Sequence, residues 1–240
     1  MKRLLLSFLL TAAFLSVQTS ALAVEENASP KVRFALAGDS TVAENSGWGP
    51  AFAKLLAPTA ECLNFARGGQ SSKSFRDSKN WQKALDSKPN YILIQFGHND
   101  QPGKGPNRET DPKTTYPENL SRFVDEARAI GAEPVLITSM ARRTFDNGKI
   151  RHDLEPYAEA VRKVAEEKKV PIIDLNARSI ALLEKLGPEG TKPFDPVTKD
   201  GRPDHTHLSP RGGEVMAQIV AEDLVKVLSK VKPYFTQNPS

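Results

Sequence analysis

Asp204 and His207 lie three positions apart in the run Asp204-His205-Thr206-His207, near the C-terminal end of the chain. A carboxylate at this spacing can share one turn with an imidazole and hold it in the tautomer that accepts a proton. An imidazole held in this way is the general base that a serine nucleophile requires. The pair therefore predicts nucleophilic catalysis, provided that the fold brings a serine to His207.

Ser40 is the candidate serine, because Gly38-Asp39-Ser40-Thr41 directly follows an apolar run. A serine at the carboxyl end of a first strand, where a loop or helix begins, can have backbone N–H groups beside it. All four residue types are also common in ordinary turns and caps. Taken alone, this tetrapeptide indicates a turn more strongly than a catalytic site.

Two further blocks follow apolar runs. Gly68-Gly69 comes after the second run, and paired glycines allow close backbone approach and can aim an N–H group at a ligand. The dinucleotide-binding pattern G-x-G-x-x-G is absent. Gly97-His98-Asn99-Asp100 follows the third run, and so many polar or permissive residues at one strand end are hard to explain by packing, although a tight Asn-Asp turn is the alternative.

The elements that must position these blocks are visible as alternating patterns. Five short runs rich in Val, Ile and Leu are candidate strands, at residues 32–37, 62–65, 91–96, 134–138 and 171–174. Continuous apolar runs are typical of parallel strands buried on both faces. Segments of helical period with clear apolar faces lie at residues 120–130, 154–165 and 216–227. This alternation predicts a doubly wound α/β sheet in one domain.

Local signals add detail to this pattern. Thr115 and Glu118 fit a capping box at the start of a helix that Gly131 would end. Long stretches without periodicity remain at residues 66–78, 97–114, 139–153 and 187–203. Loops of this length are uncommon unless they are functional. Three of the four directly follow a candidate strand, at the edge where open α/β sheets bind ligands.

Composition excludes several classes of protein. With 39% hydrophobic and 26% charged residues, the 240-residue chain is not a polytopic membrane protein, and its single cysteine forbids an intrachain disulfide or a cysteine-rich zinc site. Lys2 and Arg3, an apolar run and Ala21-Leu22-Ala23 predict a secretory signal peptide over residues 1–23, with residues 24–240 as the mature domain. A membrane anchor is the alternative, but the apolar stretch is short. We therefore expect a secreted or periplasmic protein.

The blocks occur in the order found in a known family. Gly38-Asp39-Ser40, Gly69, Gly97-x-Asn99-Asp100 and Asp204-x-x-His207 resemble the SGNH (GDSL-type) hydrolases and span most of the mature chain. Thr41, Asn64-x-Ala66-x-x-Gly69-x-Ser71 and Trp48-Gly49 are most similar to the rhamnogalacturonan acetylesterase branch. Threonine at position 41 departs from the plain GDSL spelling but agrees with that branch.

The resemblance implies a three-layer α/β/α fold with a flavodoxin-like sheet of five parallel strands. It also implies a serine esterase, without a cofactor or a metal, that removes acetyl groups from pectic polysaccharide of the rhamnogalacturonan type. Ser40 would be the nucleophile, His207 the base and Asp204 the residue that orients it. The oxyanion hole would consist of the backbone N–H groups of Ser40 and Gly69 and the side-chain amide of Asn99, with Gly68 as the other register.

Other functions remain open at this point. The same esterase chemistry could act on another acetylated glycan, on a lipid or on a thioester. Aspartates and histidines at the strand ends could bind a metal, but they lack the H-E-x-x-H spacing and leave Gly69 and Asn99 unexplained. A non-catalytic carbohydrate-binding module would not need Ser40 or His207. The scattered basic residues and the 7% aromatic content argue against nucleic-acid binding.

The carboxylates of an acidic polysaccharide would be bound by cationic side chains near the strand ends. The candidate substrate-binding residues are Arg67, Lys73, Arg76, His98 and Arg143. The alternative for the basic residues is an ordinary solvated loop, since exposed Lys and Arg are common. His98 could instead support the third loop. We expect the formal charge of +4 to matter only through such local groups, and the mature chain to be a monomer.

Overall fold

A parallel β-sheet with helices on both faces forms the centre of the molecule. The computed structural model describes residues 31–236. The signal peptide predicted for residues 1–23 lies outside the described residues. Between residues 31 and 236, no helix combines the length and the apolar character needed to cross a membrane.

Within residues 31–236, the sheet contains five strands, and a separate antiparallel hairpin follows its fourth strand. The strands are β1 (Val32–Gly38), β2 (Ala60–Asn64), β3 (Tyr91–Gln95), β4 (Glu133–Ile137), the hairpin strands β5 (Phe145–Asp146) and β6 (Lys149–Ile150), and β7 (Ile172–Ile173). The α-helices are α1 (Gly49–Leu55), α2 (Ser72–Asp77), α3 (Lys79–Asp86), α4 (Thr115–Ala129), α5 (Glu155–Lys168), α6 (Leu175–Thr191) and α7 (Pro210–Val227).

The strand order in the main sheet is β2-β1-β3-β4-β7, and every pairing is parallel. When the hairpin strands β5 and β6 are left out, β7 is the fifth strand and the order is 2-1-3-4-5, which is the flavodoxin-like order. In this order the chain changes its direction of winding beside β1. Ligands bind at that point in open α/β sheets, outside the carboxyl ends of the strands. The predicted fold is therefore confirmed, and the end of β1 is the place to look for a site.

β1 shows why the molecule has three layers. Successive side chains of a strand point to opposite faces. Phe34 and Leu36 pack in the cluster that includes α1 and α7, whereas Ala35 and Ala37 pack in the cluster that includes α3, α4 and α5. All four are fully buried, which explains the continuous apolar run seen in the sequence.

The helices depart from the sequence predictions in several places: α1, α3 and α6 lie where no helix is predicted, and α4 and α2 differ as follows. Helix α4 begins at Thr115, but the predicted capping box is wrong: the residue at the cap, Thr114, makes no side-chain bond there, and the Thr115 hydroxyl accepts the N–H of Asp111 at 2.8 Å. Helix α2 lies within a stretch predicted to be loop. Its start is a reciprocal pair, since Ser71 Oγ accepts from Ser74 N and Ser74 Oγ accepts from Ser71 N. Short polar helices of this kind lack the apolar periodicity that sequence reasoning uses.

Candidate active site

A tight turn at the end of β1 presents Ser40. The Asp39 carboxylate accepts the backbone N–H of Thr41 at 2.8 Å and its hydroxyl at 2.7 Å, so the chain bends directly around the serine. Gly38 is required beside it, because a Cβ there would lie 2.6 Å from Val42 and 2.9 Å from the Gln95 carbonyl. The serine is 9% exposed, at the surface edge of a buried turn.

A second turn, residues 204–207, presents His207. One oxygen of Asp204 accepts the backbone N–H groups of Thr206 and His207 at 2.8 and 3.0 Å, and the other lies 2.7 Å from His207 Nδ1. Partial burial by itself would raise the pKa of Asp204, but these hydrogen bonds lower it to about 2. Asp204 is thus a carboxylate at neutral pH and holds a proton on Nδ1 of the imidazole.

The two turns meet at the reactive atoms. His207 Nε2 lies 2.9 Å from Ser40 Oγ. With the imidazole proton on Nδ1, the free electron pair of Nε2 faces the serine hydroxyl. Such an arrangement can take the hydroxyl proton as the oxygen attacks a carbonyl carbon, and can return a proton to the leaving group. The catalytic roles of Ser40, His207 and Asp204 stay a prediction, and these two short distances support it.

Two loops lie beside the serine where an oxyanion would form. A Cβ built on Gly68 would lie 3.8 Å from the Ser40 Cβ, and Gly69 has a φ of +76°, a conformation that favours glycine. From the loop after β3, Asn99 Nδ2 donates to the carbonyl of Gln70 at 3.0 Å. These contacts place Gly68 beside Ser40 and tie Asn99 to Gln70, the residue after Gly69.

A buried polar network supports this edge of the sheet. Gln95 accepts from the Trp48 indole N–H at 2.9 Å and donates to the Thr41 hydroxyl at 2.7 Å. Beneath the serine, His98 Nδ1 lies 3.6 Å from an oxygen of Asp39. Burial would raise the pKa of Asp39, but His98 and Thr41 together lower it. These contacts tie the loops after β1 and β3 into one unit.

Asp100 joins helix α2 to the long loop that follows β3. Its carboxyl accepts the N–H and the hydroxyl of Ser72, at 3.1 and 2.5 Å, and the hydroxyl of Thr110 at 2.9 Å. Burial raises the pKa of Asp100 to about 7, although the hydrogen bonds from Ser72 and Thr110 act in the opposite direction. Asp100 therefore organises the wall of the site and changes its charge near neutral pH.

The predicted substrate-binding residues occupy very different positions. Arg67 is exposed, on the loop beside Ser40. Lys73 donates to the carbonyl of Pro106 at 2.7 Å. Arg76 forms a two-pronged ion pair with Glu126, at 2.9 and 2.7 Å, so its charge is already compensated by a carboxylate.

The other two candidates face the interior. His98 is 2% exposed, beneath the serine turn, which matches the supporting role considered for it. The Arg143 side chain is 1% exposed and pairs with Asp195. Neither presents a surface to a polysaccharide in this structure, because their polar atoms are enclosed by protein. The sequence located both residues at strand ends but did not show in which direction the side chains would point.

Arg108 is a residue that the sequence interpretation missed. Its Nη1 lies 3.9 Å from the position that a Cβ on Gly69 would occupy, while its Nε donates to the carbonyl of Lys104 at 2.7 Å. Within residues 31–236, no carboxylate forms an ion pair with it. The only signal in the sequence was the length of the loop at residues 97–114, which indicated function without indicating a residue.

Metal ligation has no obvious site in the described part of the chain. Residues 31–236 contain no group of three or more His, Cys, Asp or Glu side chains placed to hold a metal ion. His205, which could have joined such a group, has its Nδ1 2.6 Å from Asp195. The histidines of the 204–207 turn are therefore directed to separate aspartates.

Comparison with known proteins gives a consistent family. Residues 36–215 match the GDSL-like Lipase/Acylhydrolase family. The rhamnogalacturonan acetylesterase RhgT of Bacillus subtilis is 40% identical over 207 residues, which cover 79% of this chain and 88% of that protein.

Solved structures agree on the fold. The crystal structure of protein YxiM of Bacillus subtilis superposes with a TM-score of 0.68 at 26% identity, covering 82% of this chain and 57% of the YxiM chain. The acetylxylan esterase Axe2 of Geobacillus stearothermophilus gives a TM-score of 0.61 at 17% identity, over 83% of this chain and 95% of that chain. At that identity the second likeness concerns the fold alone.

Proposed function

This chain belongs to the GDSL-like lipase/acylhydrolase family and is a carboxylic ester hydrolase, and we propose that it removes acetyl groups from a pectic polysaccharide of the rhamnogalacturonan type. The observation that carries the chemistry is the series of contacts from Ser40 Oγ to His207 Nε2, at 2.9 Å, and from His207 Nδ1 to Asp204, at 2.7 Å. These atoms have the separations that proton transfer to and from a serine nucleophile requires.

The proposed reaction has two halves. In the first, His207 takes the Ser40 proton while Oγ attacks the acetyl carbonyl carbon, and the tetrahedral intermediate collapses as His207 protonates the departing sugar hydroxyl. In the second, His207 takes a proton from water, which attacks the acetyl-serine, and Ser40 recovers its proton as acetate leaves. Asp204 stabilises the imidazolium that forms in each half.

Negative charge develops on the carbonyl oxygen in both halves. The donors proposed for it are the backbone N–H groups of Ser40 and Gly69 and the side-chain amide of Asn99. Fixed donors of this kind stabilise an oxyanion without having to reorganise during the reaction. The positive φ of Gly69 and the hydrogen bond from Asn99 to Gln70 support the assignment, because both belong to the loop in which Gly68 lies beside Ser40.

The acidic character of the substrate is proposed on local charge. Arg67 is exposed and Arg108 makes no ion pair within residues 31–236, and the loops that carry them border Ser40. Cations on loops that border a reactive serine favour a polysaccharide that carries carboxylates. The name of the 40% identical relative, a rhamnogalacturonan acetylesterase, points in the same direction.

Acetate release from a panel of esters tests this assignment. Acetylated rhamnogalacturonan, acetylated xylan, and p-nitrophenyl esters with short and long acyl chains should be compared at equal enzyme concentration, with Ser40→Ala as the blank. We expect the highest kcat/KM on acetylated rhamnogalacturonan. Activity confined to long acyl chains would replace the carbohydrate assignment with a lipid one.

The class of mechanism has its own test. A phosphonylating reagent should abolish activity by modifying Ser40, and a chelator should leave activity intact. Loss of activity with the chelator and survival after the phosphonylating reagent would overturn the serine mechanism in favour of a metal-dependent one.

We also propose that the chain is exported, cleaved after Ala23, and works as a single monomeric domain of residues 24–240. The basis is the basic start, apolar run and small-residue site of the N-terminal segment. N-terminal sequencing of the protein recovered from periplasm and medium should begin at Val24. A chain that keeps residues 1–23 and sediments with membranes would indicate an anchor instead.

A further inference from the structure

Arg143 lies directly behind the 204–207 turn. Its backbone N–H donates to the carbonyl of His205 at 2.9 Å, and its Nη2 donates to the carbonyl of Asp204 at 2.9 Å and to that of His207. The guanidinium side chain is 1% exposed. One interior arginine therefore contacts three of the four residues in the turn that carries His207.

Asp195 makes the burial of this arginine possible. Its Oδ1 accepts from Arg143 Nε, and its side chain is 6% exposed. A buried guanidinium without a partner would be strongly unfavourable, whereas a paired one can direct its remaining N–H groups to backbone carbonyls. Asp195 is thus the counter-ion that leaves Arg143 free to bind the turn.

The pair also holds the turn through a second route. Asp195 Oδ2 lies 2.6 Å from Nδ1 of His205, one of the two residues between the predicted catalytic aspartate and histidine. Nearby, the backbone N–H of Asp204 donates to the carbonyl of Pro196 at 2.9 Å, which fastens the start of the turn to the segment that carries Asp195. Side chains and backbone from two separate loops converge on the same four residues.

Position matters here because the reaction depends on short contacts. A displacement of a catalytic group by roughly 1 Å can cost about a hundredfold in rate. The Asp204 carboxylate orients the His207 ring, but it belongs to the same turn and moves with it. Something outside the turn must place both relative to Ser40, which is held by β1.

We propose that the buried Arg143–Asp195 pair is a positioning device that sets the distance between His207 and Ser40. The inference rests on the proposed function. Arg143 and Asp195 are positioning residues, since neither forms a hydrogen bond with Ser40. Arg143 therefore acts through backbone carbonyls of the turn. It does not bind the charge of a substrate, which is the role predicted for it from the sequence.

The experiment compares Arg143→Ala, Arg143→Lys and Asp195→Asn with the wild-type chain on p-nitrophenyl acetate, a neutral substrate. Rates are expressed per folded molecule, with the folded fraction taken from near-UV circular dichroism. We expect kcat of Arg143→Ala to fall about a hundredfold with KM changed by less than roughly twofold. Arg143→Lys should retain part of the activity, because an ammonium can replace one of the donors. Millimolar guanidinium should partly restore Arg143→Ala.

Arg162→Met is the matched control. Arg162 also pairs with an aspartate, Asp174 at 2.8 Å, but makes no hydrogen bond to the 204–207 turn. It should lose stability and keep the wild-type kcat.

Three results would overturn the inference. The first is an unchanged kcat per folded molecule in Arg143→Ala and Asp195→Asn. The second is a KM that rises only on acidic substrates while kcat on the neutral ester is kept, which would return Arg143 to substrate binding. The third applies if Arg143→Ala does not fold: both Arg143→Lys and Asp195→Asn would then have the wild-type kcat. A wild-type chain without Ser40-dependent ester hydrolysis would instead reject the proposed function, and this inference with it.

Discussion

His207 Nε2 lies 2.9 Å from Ser40 Oγ, although 167 positions separate the two residues in the chain. Besides the proposed Arg143–Asp195 device, the contact depends on how the C-terminal segment docks on the loop after β1. Leu208 N donates to the carbonyl of Ser46 at 2.9 Å, and Ser46 Oγ donates to the carbonyl of Ser40 at 2.7 Å. The residue after His207 is therefore linked by hydrogen bonds to the backbone of Ser40 itself.

Because Ser40 and His207 act as one unit in the proposed reaction, their substitutions should not be additive. Ser40→Ala and His207→Ala should each lower kcat by several orders of magnitude, and the double variant should be no slower than either single one. Initial rates on p-nitrophenyl acetate give the three values. Ser121→Ala, on the partly exposed face of α4, is the control and should match the wild type. Independent losses that multiply in the double variant would contradict a shared step.

Removal of the Asn99 amide should act on the transition state. We expect Asn99→Ala to lower kcat by about a hundredfold or more while KM changes little, since an oxyanion donor binds charge that the bound ester does not yet carry. Steady-state kinetics with a short-chain ester separate the two constants. Asn90→Ala, which alters an asparagine at the opposite edge of the sheet that accepts the N–H of Arg33, should keep the wild-type kcat. Equal losses in both variants would indicate damage to the fold.

Arg108 should determine affinity for acidic substrates. Arg108→Ala should raise KM for an acetylated, uronate-containing oligosaccharide about tenfold, which corresponds to roughly 1.4 kcal/mol. Kinetics on p-nitrophenyl acetate should be unaffected. The difference should shrink as ionic strength rises, because salt screens partly exposed charges. Arg122→Ala removes a cation from α4 and should leave KM for both substrates at the wild-type value. If Arg108→Ala changed KM by the same factor for the acidic and the neutral substrate, a role in charge recognition would be excluded.

Asp100 should make stability depend on pH. Burial raises its pKa to about 7 in the folded chain, whereas an unfolded aspartate titrates near pH ~3.9. Between these values the folded chain binds more protons at this site, so the Asp100 contribution to the free energy of unfolding falls as pH rises and is constant above pH ~7.

Asp100→Asn removes this titration. The free energy of unfolding of the variant minus that of the wild type should therefore rise with pH from about 4 to 7. Urea denaturation at several pH values in this window gives the difference. The exposed Asp77→Asn variant should give a flat difference. A flat difference in Asp100→Asn as well would show that Asp100 is ionised throughout.

Arg76 should contribute to stability and not to substrate binding. Its guanidinium is 17% exposed and is occupied by both oxygens of Glu126. Arg76→Ala should lower the free energy of unfolding by about 2 kcal/mol, a typical value for hydrogen bonds to a charged group. KM on the acidic oligosaccharide should stay at the wild-type value. A raised KM with unchanged stability would support the substrate role first expected for Arg76.

Much of the fold could be predicted from the sequence. Strands β1, β3 and β4 are continuous apolar runs, and α5 and α7 have one apolar face, so their burial is written into their residue types. β7 is harder to define, because Pro171 cannot donate a hydrogen bond and Asp174 already caps α6. Sequence patterns predict neither α2 nor α3, because both are short, begin at serine caps and pack on Phe123 of α4. They do not predict α1 or α6 either.

The same division holds for the site. The residue types and order of Ser40, Gly69, Asn99, Asp204 and His207 indicated the family and the chemistry, because each block carries its own local geometry in a strand end or a turn. The arginines were a different matter. Their type says only that they are cationic, and a long side chain can turn outward to solvent or inward to a carboxylate.

Only the tertiary structure decided which arginine does what. Arg76 meets Glu126, a residue 50 positions away; Arg143 meets Asp195 and the 204–207 turn; Arg108 remains without an ion pair within residues 31–236, close to Gly69. These outcomes depend on which carboxylates the packed helices and loops bring within a few ångströms. Local sequence determines backbone conformation and burial, whereas the partner of a charge is determined by chain segments that are distant in sequence.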